Sequence, residues 1–192
     1  MGEHRKKRIV IGITGSSGVI YGIEILKELT KKDVETHLII SEPGKKNVLL
    51  ETEYSVKDVE SMAHKVYDDD DLGAPLASGS FLTSGMIVAP CTIKTLSGIA
   101  NSYTDNLLVR AADVTLKEKR KLVLLVRETP LHKGHLTLMY RAADMGAHIL
   151  PPIPSFYHHP KTIDDIVHQI VGKVFDYFGI EHDLFERWGE EK

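Results

Sequence analysis

The chain has 192 residues, 42% of them hydrophobic and 27% charged, a globular balance long enough to build a core without metals or disulfides. Its formal net charge of -3 argues against a general nucleic-acid binder, and its one cysteine, Cys91, excludes an internal disulfide and fits a reducing compartment. No apolar run approaches the roughly 20 residues of a membrane helix. The expectation is a single cytoplasmic domain spanning 8–180, with a frayed basic start over 1–7 and a tail over 181–192. The start has neither a signal-peptide core nor a hydroxyl at position 6 for a myristoylation motif.

In chain order, residues 8–13 form an apolar, β-branched strand candidate. A Gly/Ser-rich turn follows, then Val19, Ile23, Leu26 and Leu29 at helical spacing. Residues 33–40 are a second strand. This strand–turn–helix–strand unit predicts a right-handed crossover and a parallel sheet. Ser41 and Pro43 open a helix expected to run to about Tyr54. The acidic run 68–71 reads as a solvated loop rather than a metal site. Buried strands are predicted at 86–89, 122–126 and 147–150, each leading towards a helical pattern. Thr104 or Asp105 is the expected cap of a helix carrying Leu107, Leu108, Ala111, Ala112 and Leu116. Residues 163–178 form the strongest amphipathic stripe, with Gly179 as its stop. Alternating strands and helices give an α/β class: a mostly parallel sheet with helices on both faces.

Gly12, Gly15 and Gly18, with Ser16 and Ser17 between the last two, lie between the first strand and the first helix. Such a turn lets backbone approach a ligand, and the following helix offers N–H groups to an anion. The same pattern also suits a tight turn with no ligand. The spacing is not that of dinucleotide enzymes, and Glu35 lies too early in its strand to hold an NAD ribose.

Six later segments make the reading specific: 77–80 (ASGS), 90–96 (PCTIKTL), 110–118 (RAADVTLKE), 127–130 (RETP), 156–158 (FYH) and 187–190 (RWGE). With the glycine turn, this ordered series resembles the flavin prenyltransferases of the UbiX type, from Arg8 to Glu190. The resemblance implies a three-layer, Rossmann-like (flavodoxin-like) fold, FMN as the flavin and transfer of a dimethylallyl group from dimethylallyl monophosphate to reduced FMN. The prenylated FMN would serve a separate UbiD-type decarboxylase. It further implies a trimer-based homo-dodecamer, with the 181–192 tail on a neighbouring subunit.

Residue by residue, the resemblance implies that Gly15, Ser16, Ser17, Ser41, Thr92, Ile93, Lys94, Thr95 and Arg127 contact the flavin. Arg110, Lys117, Tyr157 and Lys173 become phosphate ligands, and Trp188 a π face for an allylic cation. Ser17, Glu51, Glu128 and Lys117 are the catalytic candidates, the carboxylates handling protons. Arg110 and Lys117 are two helical turns apart and share a face. Lys at 173 keeps the charge of the commoner Arg but loses its fork. No metal is expected: His132, His135, His158 and His159 lack zinc-type spacing. Cys91 reads as buried packing. Two alternatives remain open: an FMN-dependent cysteine-type decarboxylase, and a non-catalytic FMN carrier.

Overall fold

The computed structural model describes residues 6–189. Six strands pair in parallel: β1 (Lys7–Ile13), β2 (Val34–Ile40), β3 (Lys65–Tyr67), β4 (Gly85–Cys91), β5 (Lys121–Val126) and β6 (Ala147–Ile149). Their order is β3-β2-β1-β4-β5-β6. The helices are α1 (Val19–Leu29), α2 (Glu42–Glu51), α3 (Val56–Ser61), α4 (Ile93–Ala100), α5 (Leu107–Lys117), α6 (Lys133–Asp144) and α7 (Ile163–Phe178).

The strands read as unbroken apolar runs because both faces of the sheet are covered. Every residue of β4 and the last five of β1 are buried. Alternation along β1 divides the helices between the faces. Gly12 faces α5, where an added Cβ would lie 3.1 Å from the Leu108 side chain. Ile13 points the other way, against Gly22 of α1. The Gly12 face carries a cluster of Val10, Met86, Val88, Leu122 and Leu124 packed with residues of α4, α5 and α6.

Several boundaries differ from expectation, each for a local reason. Helix α5 is capped by Asn106, not by Thr104 or Asp105; Asn106 Oδ1 accepts the Val109 N–H at 2.9 Å. Helix α2 stops at Glu51, not near Tyr54. Thr52 turns extended, donates its hydroxyl back to the Val48 carbonyl at 2.7 Å, and accepts the Tyr54 N–H. The edge strand β3 was not predicted, being three residues long with Val66 exposed. Helix α3, begun by a Ser55/Asp58 capping box, was also not predicted.

The chain divides into two compact units, one ending at Pro151 and the other starting at Pro152. In the second unit, α7 begins at a Thr162/Asp165 capping box and stops at Gly179, which adopts the left-handed conformation that glycine tolerates. The chain then returns along α7. Arg187 donates to both Asp176 oxygens, at 3.1 and 2.6 Å, and His182 bonds the same carboxylate at 3.1 Å. The Arg187 hydrogen bonds hold the Asp176 carboxyl below its usual range, with His182 adding to them. Phe185 fills the space over Gly172, where a Cβ would lie 2.5 Å from its ring. The described part of the tail thus packs on its own last helix. Of the basic start, Lys7 belongs to β1, and 1–5 lie outside the described residues, as do 190–192.

Gly22→Ala weighs two effects. Alanine favours a helix interior by about 1 kcal/mol. Here, however, its Cβ would sit 2.3 Å from the Ala89 carbonyl oxygen, a backbone atom with no freedom to rotate away. Overpacking costs roughly 1–3 kcal/mol, so net destabilisation is expected in urea unfolding. Unchanged stability would show that α1 can lift from the sheet at no cost.

Candidate functional site

The order of strands reverses between β1 and β4, where α1 leaves one face and α4 the other. A parallel sheet opens a crevice at such a point, beyond the carboxyl ends of its strands. A cavity of about 1340 Å³ lies there, lined among others by Thr14, Gly15, Ser41, Thr92, Lys94 and Thr95. That is ample for a mononucleotide.

Helix starts shape its walls. Ser41 Oγ accepts the Gly44 N–H at 3.2 Å and caps α2. Thr92 Oγ1 accepts the Thr95 N–H at 3.1 Å and donates to Thr95 Oγ1 at 3.0 Å, capping α4. The next two N–H groups of α4, on Ile93 and Lys94, precede any intrahelical acceptor and meet no other among the described residues. Gly15 is set by contact: a Cβ there would lie 2.3 Å from Pro43 Cβ, so glycine lets the first turn meet the start of α2. Ser16 Oγ is buried without a protein partner, and Ser17 is exposed.

The helix after the glycine turn is not open to an anion as the sequence suggested. Glu51 Oε2 accepts the N–H of Gly18 at 2.8 Å and of Val19 at 3.3 Å, filling the start of α1 with a carboxylate. Helix α5 is filled likewise. Asp69 takes the Leu107 N–H on its carbonyl at 2.7 Å and the Leu108 N–H on Oδ1 at 2.9 Å. The acidic run is therefore partly structural and lines the cavity, not a purely solvated loop. The free N–H groups of Ile93 and Lys94 leave the start of α4 open to an anion.

Other predicted contacts fall around the cavity. Arg127 follows β5; its N–H donates to the Cys91 carbonyl at 3.1 Å. Burial pushes the Tyr21 hydroxyl up, and the charge of Arg127 opposes that shift. Glu128 is exposed and accepts the Thr129 N–H at 3.0 Å. Neither Arg127 nor Glu128 lines the cavity. Cys91 is fully buried, and burial pushes its thiol far up, which unsuits it to nucleophilic work. Glu35 binds Arg8 and His37, each at 3.0 Å, at the amino end of β2, away from the crevice. His132 Nδ1 accepts the Gly134 N–H at 3.0 Å as the cap of α6.

Arg110 and Lys117 line a separate hollow of about 370 Å³ with residues 77–80. Arg110 Nε donates to the Ala77 carbonyl at 3.1 Å and Nη1 pairs with Asp113 at 3.2 Å; Lys117 pairs with Glu118. Arg120, which sequence reasoning missed, pins the same loop by donating to the carbonyls of Gly79 at 2.6 Å and Phe81 at 2.8 Å. In the second unit, Tyr157 meets Trp188 edge to face at 5.7 Å, and Lys173 Nζ stands 5.2 Å from the Phe185 ring centroid. Thr14 was also missed: nothing in a lone hydroxyl among glycines announces a bond to residues 76 and 78 positions away.

A parallel sheet with a polar crevice at its switch point and an open helix start beside it defines a mononucleotide-binding α/β protein. The Flavoprotein family model matches residues 1–175. A flavin prenyltransferase UbiX from Thauera aromatica is 58% identical over 94% of this chain and 93% of its own length. A dodecameric FMN-dependent UbiX-like decarboxylase from Escherichia coli O157:H7 superposes with a TM-score of 0.93 at 47% identity, covering 95% of this chain and 100% of that one. AnUbiX (PadA1), solved with FMN and dimethylallyl pyrophosphate, superposes at 0.96 and 42% identity, covering 98% and 100%. The chain belongs to the flavoprotein family, in its UbiX-type flavin prenyltransferase branch.

Asp69 gives the cavity wall a pH dependence. Burial pushes its carboxyl up, against the Leu108 hydrogen bond. An acid raised in the folded state favours folding while protonated. That contribution is present below the unfolded value, about 3.9, and is lost as pH rises through the folded value. Asp69→Asn keeps an acceptor for Leu108 without the charge. Its urea-unfolding stability is expected to fall less than the wild type's from about pH 4 to neutrality. Parallel pH profiles would remove Asp69 as the cause.

Proposed function

We propose that this chain transfers a dimethylallyl group from dimethylallyl monophosphate to reduced FMN, giving prenylated FMN for a separate UbiD-type decarboxylase. The observation that carries the reading is the crevice between β1 and β4, with open N–H groups at the start of α4. The donors there fit FMN. Ile93 and Lys94 offer N–H groups to a phosphate; Ser41, Thr92, Thr95 and the unpartnered Ser16 offer hydroxyls. Gly15, Ser17 and Arg127 complete the proposed flavin contacts.

Reduced FMN supplies the nucleophilic N5 and neighbouring ring carbon that accept the prenyl group. Arg110, Lys117, Tyr157 and Lys173 bind the phosphate leaving group, whose charge grows as the carbon–oxygen bond breaks. Trp188 gives the developing allylic cation a π face. Glu51, through Ser17, and Glu128 handle the proton released as the second bond forms. At the start of α1, Glu51 already accepts two N–H groups beside Ser17, which fixes its carboxylate at the turn. We further propose a trimer-based homo-dodecamer, 181–192 on a neighbouring subunit, and a cytoplasmic location. No described helix is long and apolar enough to cross a membrane. Neither a cysteine-type decarboxylase nor a carrier gives the Arg110 and Lys117 hollow a role.

Anaerobic incubation with reduced FMN and either dimethylallyl monophosphate or pyrophosphate, followed by mass spectrometry of the flavin, tests the reaction directly. A flavin heavier by one prenyl unit is expected, formed faster from the monophosphate. Unmodified flavin with both donors would overturn the assignment. Glu128→Gln is expected to retain FMN but slow single-turnover transfer roughly tenfold or more, the scale of lost acid–base help. An unchanged rate would remove Glu128. Added salt should weaken donor affinity more than flavin affinity, because cations dominate donor binding. Equal sensitivity would count against Arg110, Lys117 and Lys173.

A further inference from the structure

We propose that Thr14 is a positioning residue for the flavin, its hydroxyl setting the width of the crevice and the aim of α4. The proposal rests on the reading that this cleft binds FMN. Strands β1 and β4 pair from Ile9 with Gly85 to Gly12 with Val88. Past that step Pro90 has no N–H to donate, and the two chains turn towards helices on opposite faces.

Thr14 spans the opening. Its N–H reaches the Pro90 carbonyl at 3.3 Å. Its hydroxyl donates to the same carbonyl at 2.7 Å and accepts the Thr92 N–H at 2.9 Å. One side chain thus supplies an acceptor and a donor where the ladder has ended. At 2% exposure, water has little access to replace it. Thr92 is therefore held from both sides: its N–H by Thr14, and its hydroxyl by the cap it makes with Thr95. Where Thr92 stands decides where the free N–H groups of Ile93 and Lys94 point. Gly15, the next residue after Thr14, is wedged on Pro43, so Thr14 also fixes the glycine turn relative to α4.

The test is titration of the full chain with FMN, read by quenching of flavin fluorescence. Thr14→Val, close in shape but without the hydroxyl, is expected to weaken FMN binding roughly tenfold, the scale of a lost buried hydrogen bond. Thr14→Ser should bind within about threefold of wild type. Should valine leave the chain unfolded by circular dichroism, Thr14→Cys, with its weaker donor and acceptor, is read in the same way. Binding by Thr14→Val within about twofold of wild type would overturn the proposal. So would a serine variant as weak as valine, which would point to methyl packing. A wild-type chain that takes up no FMN overturns the functional reading and this proposal together. A wild type that binds beside an unaffected Thr14→Val overturns this proposal alone.

Discussion

Where two neighbouring parallel strands stop pairing, their last N–H and carbonyl groups must find new partners in a place that is nearly dry. That constraint organises this molecule. At the carboxyl edge of β1, β2 and β4, backbone groups are satisfied by side chains placed one by one: Thr14 on Pro90 and Thr92, Ser41 on Gly44, Thr92 on Thr95. A buried polar group left unmade costs about 1–3 kcal/mol, so these bonds hold the crevice in one shape. The first N–H groups of α4 and the Ser16 hydroxyl, unpartnered among the described residues, are among the groups a ligand can use.

The helix starts around the crevice are not equivalent. Two of them already hold a carboxylate: Glu51 at α1 and Asp69 at α5. A helix start favours negative charge, and these two have it built in. A phosphate finds free donors at α4, with the hydroxyl of Ser41, the cap of α2, alongside. The glycine turn, whose spacing drew attention first, is shaped as much by Pro43 as by any ligand.

Legibility in the sequence followed the range of the forces involved. Helices α1 and α7 were readable because a buried stripe repeats every turn and the stop signals, such as Gly179, are local. The sheet was readable because strands covered on both faces are apolar throughout. β3 was not, since three residues with one exposed apolar side chain carry no period. In the site, Gly15, Ser41, Thr92 and Thr95 stood out by resemblance and lie on the cavity. Asp69, Thr14 and Arg120 did not. Their partners lie 38 to 78 positions away along the chain, and no local pattern encodes such a bond. The acidic run looked like surface because nothing in four aspartates distinguishes the one that bends back onto a helix.

Trp188 is the only tryptophan of the chain. It is 81% exposed, in the unit that begins at Pro152, with Tyr157 edge-on beside it. Intrinsic emission excited in the red edge of the indole band therefore reports on the carboxyl-terminal arm and not on the sheet. Emission from an isolated chain should lie far to the red, as for indole in water, and any surface that covers the arm would shift it to the blue. Melting curves followed by tryptophan light and by backbone dichroism would then track different parts of one molecule, and disagreement between them would be anatomy rather than a folding intermediate.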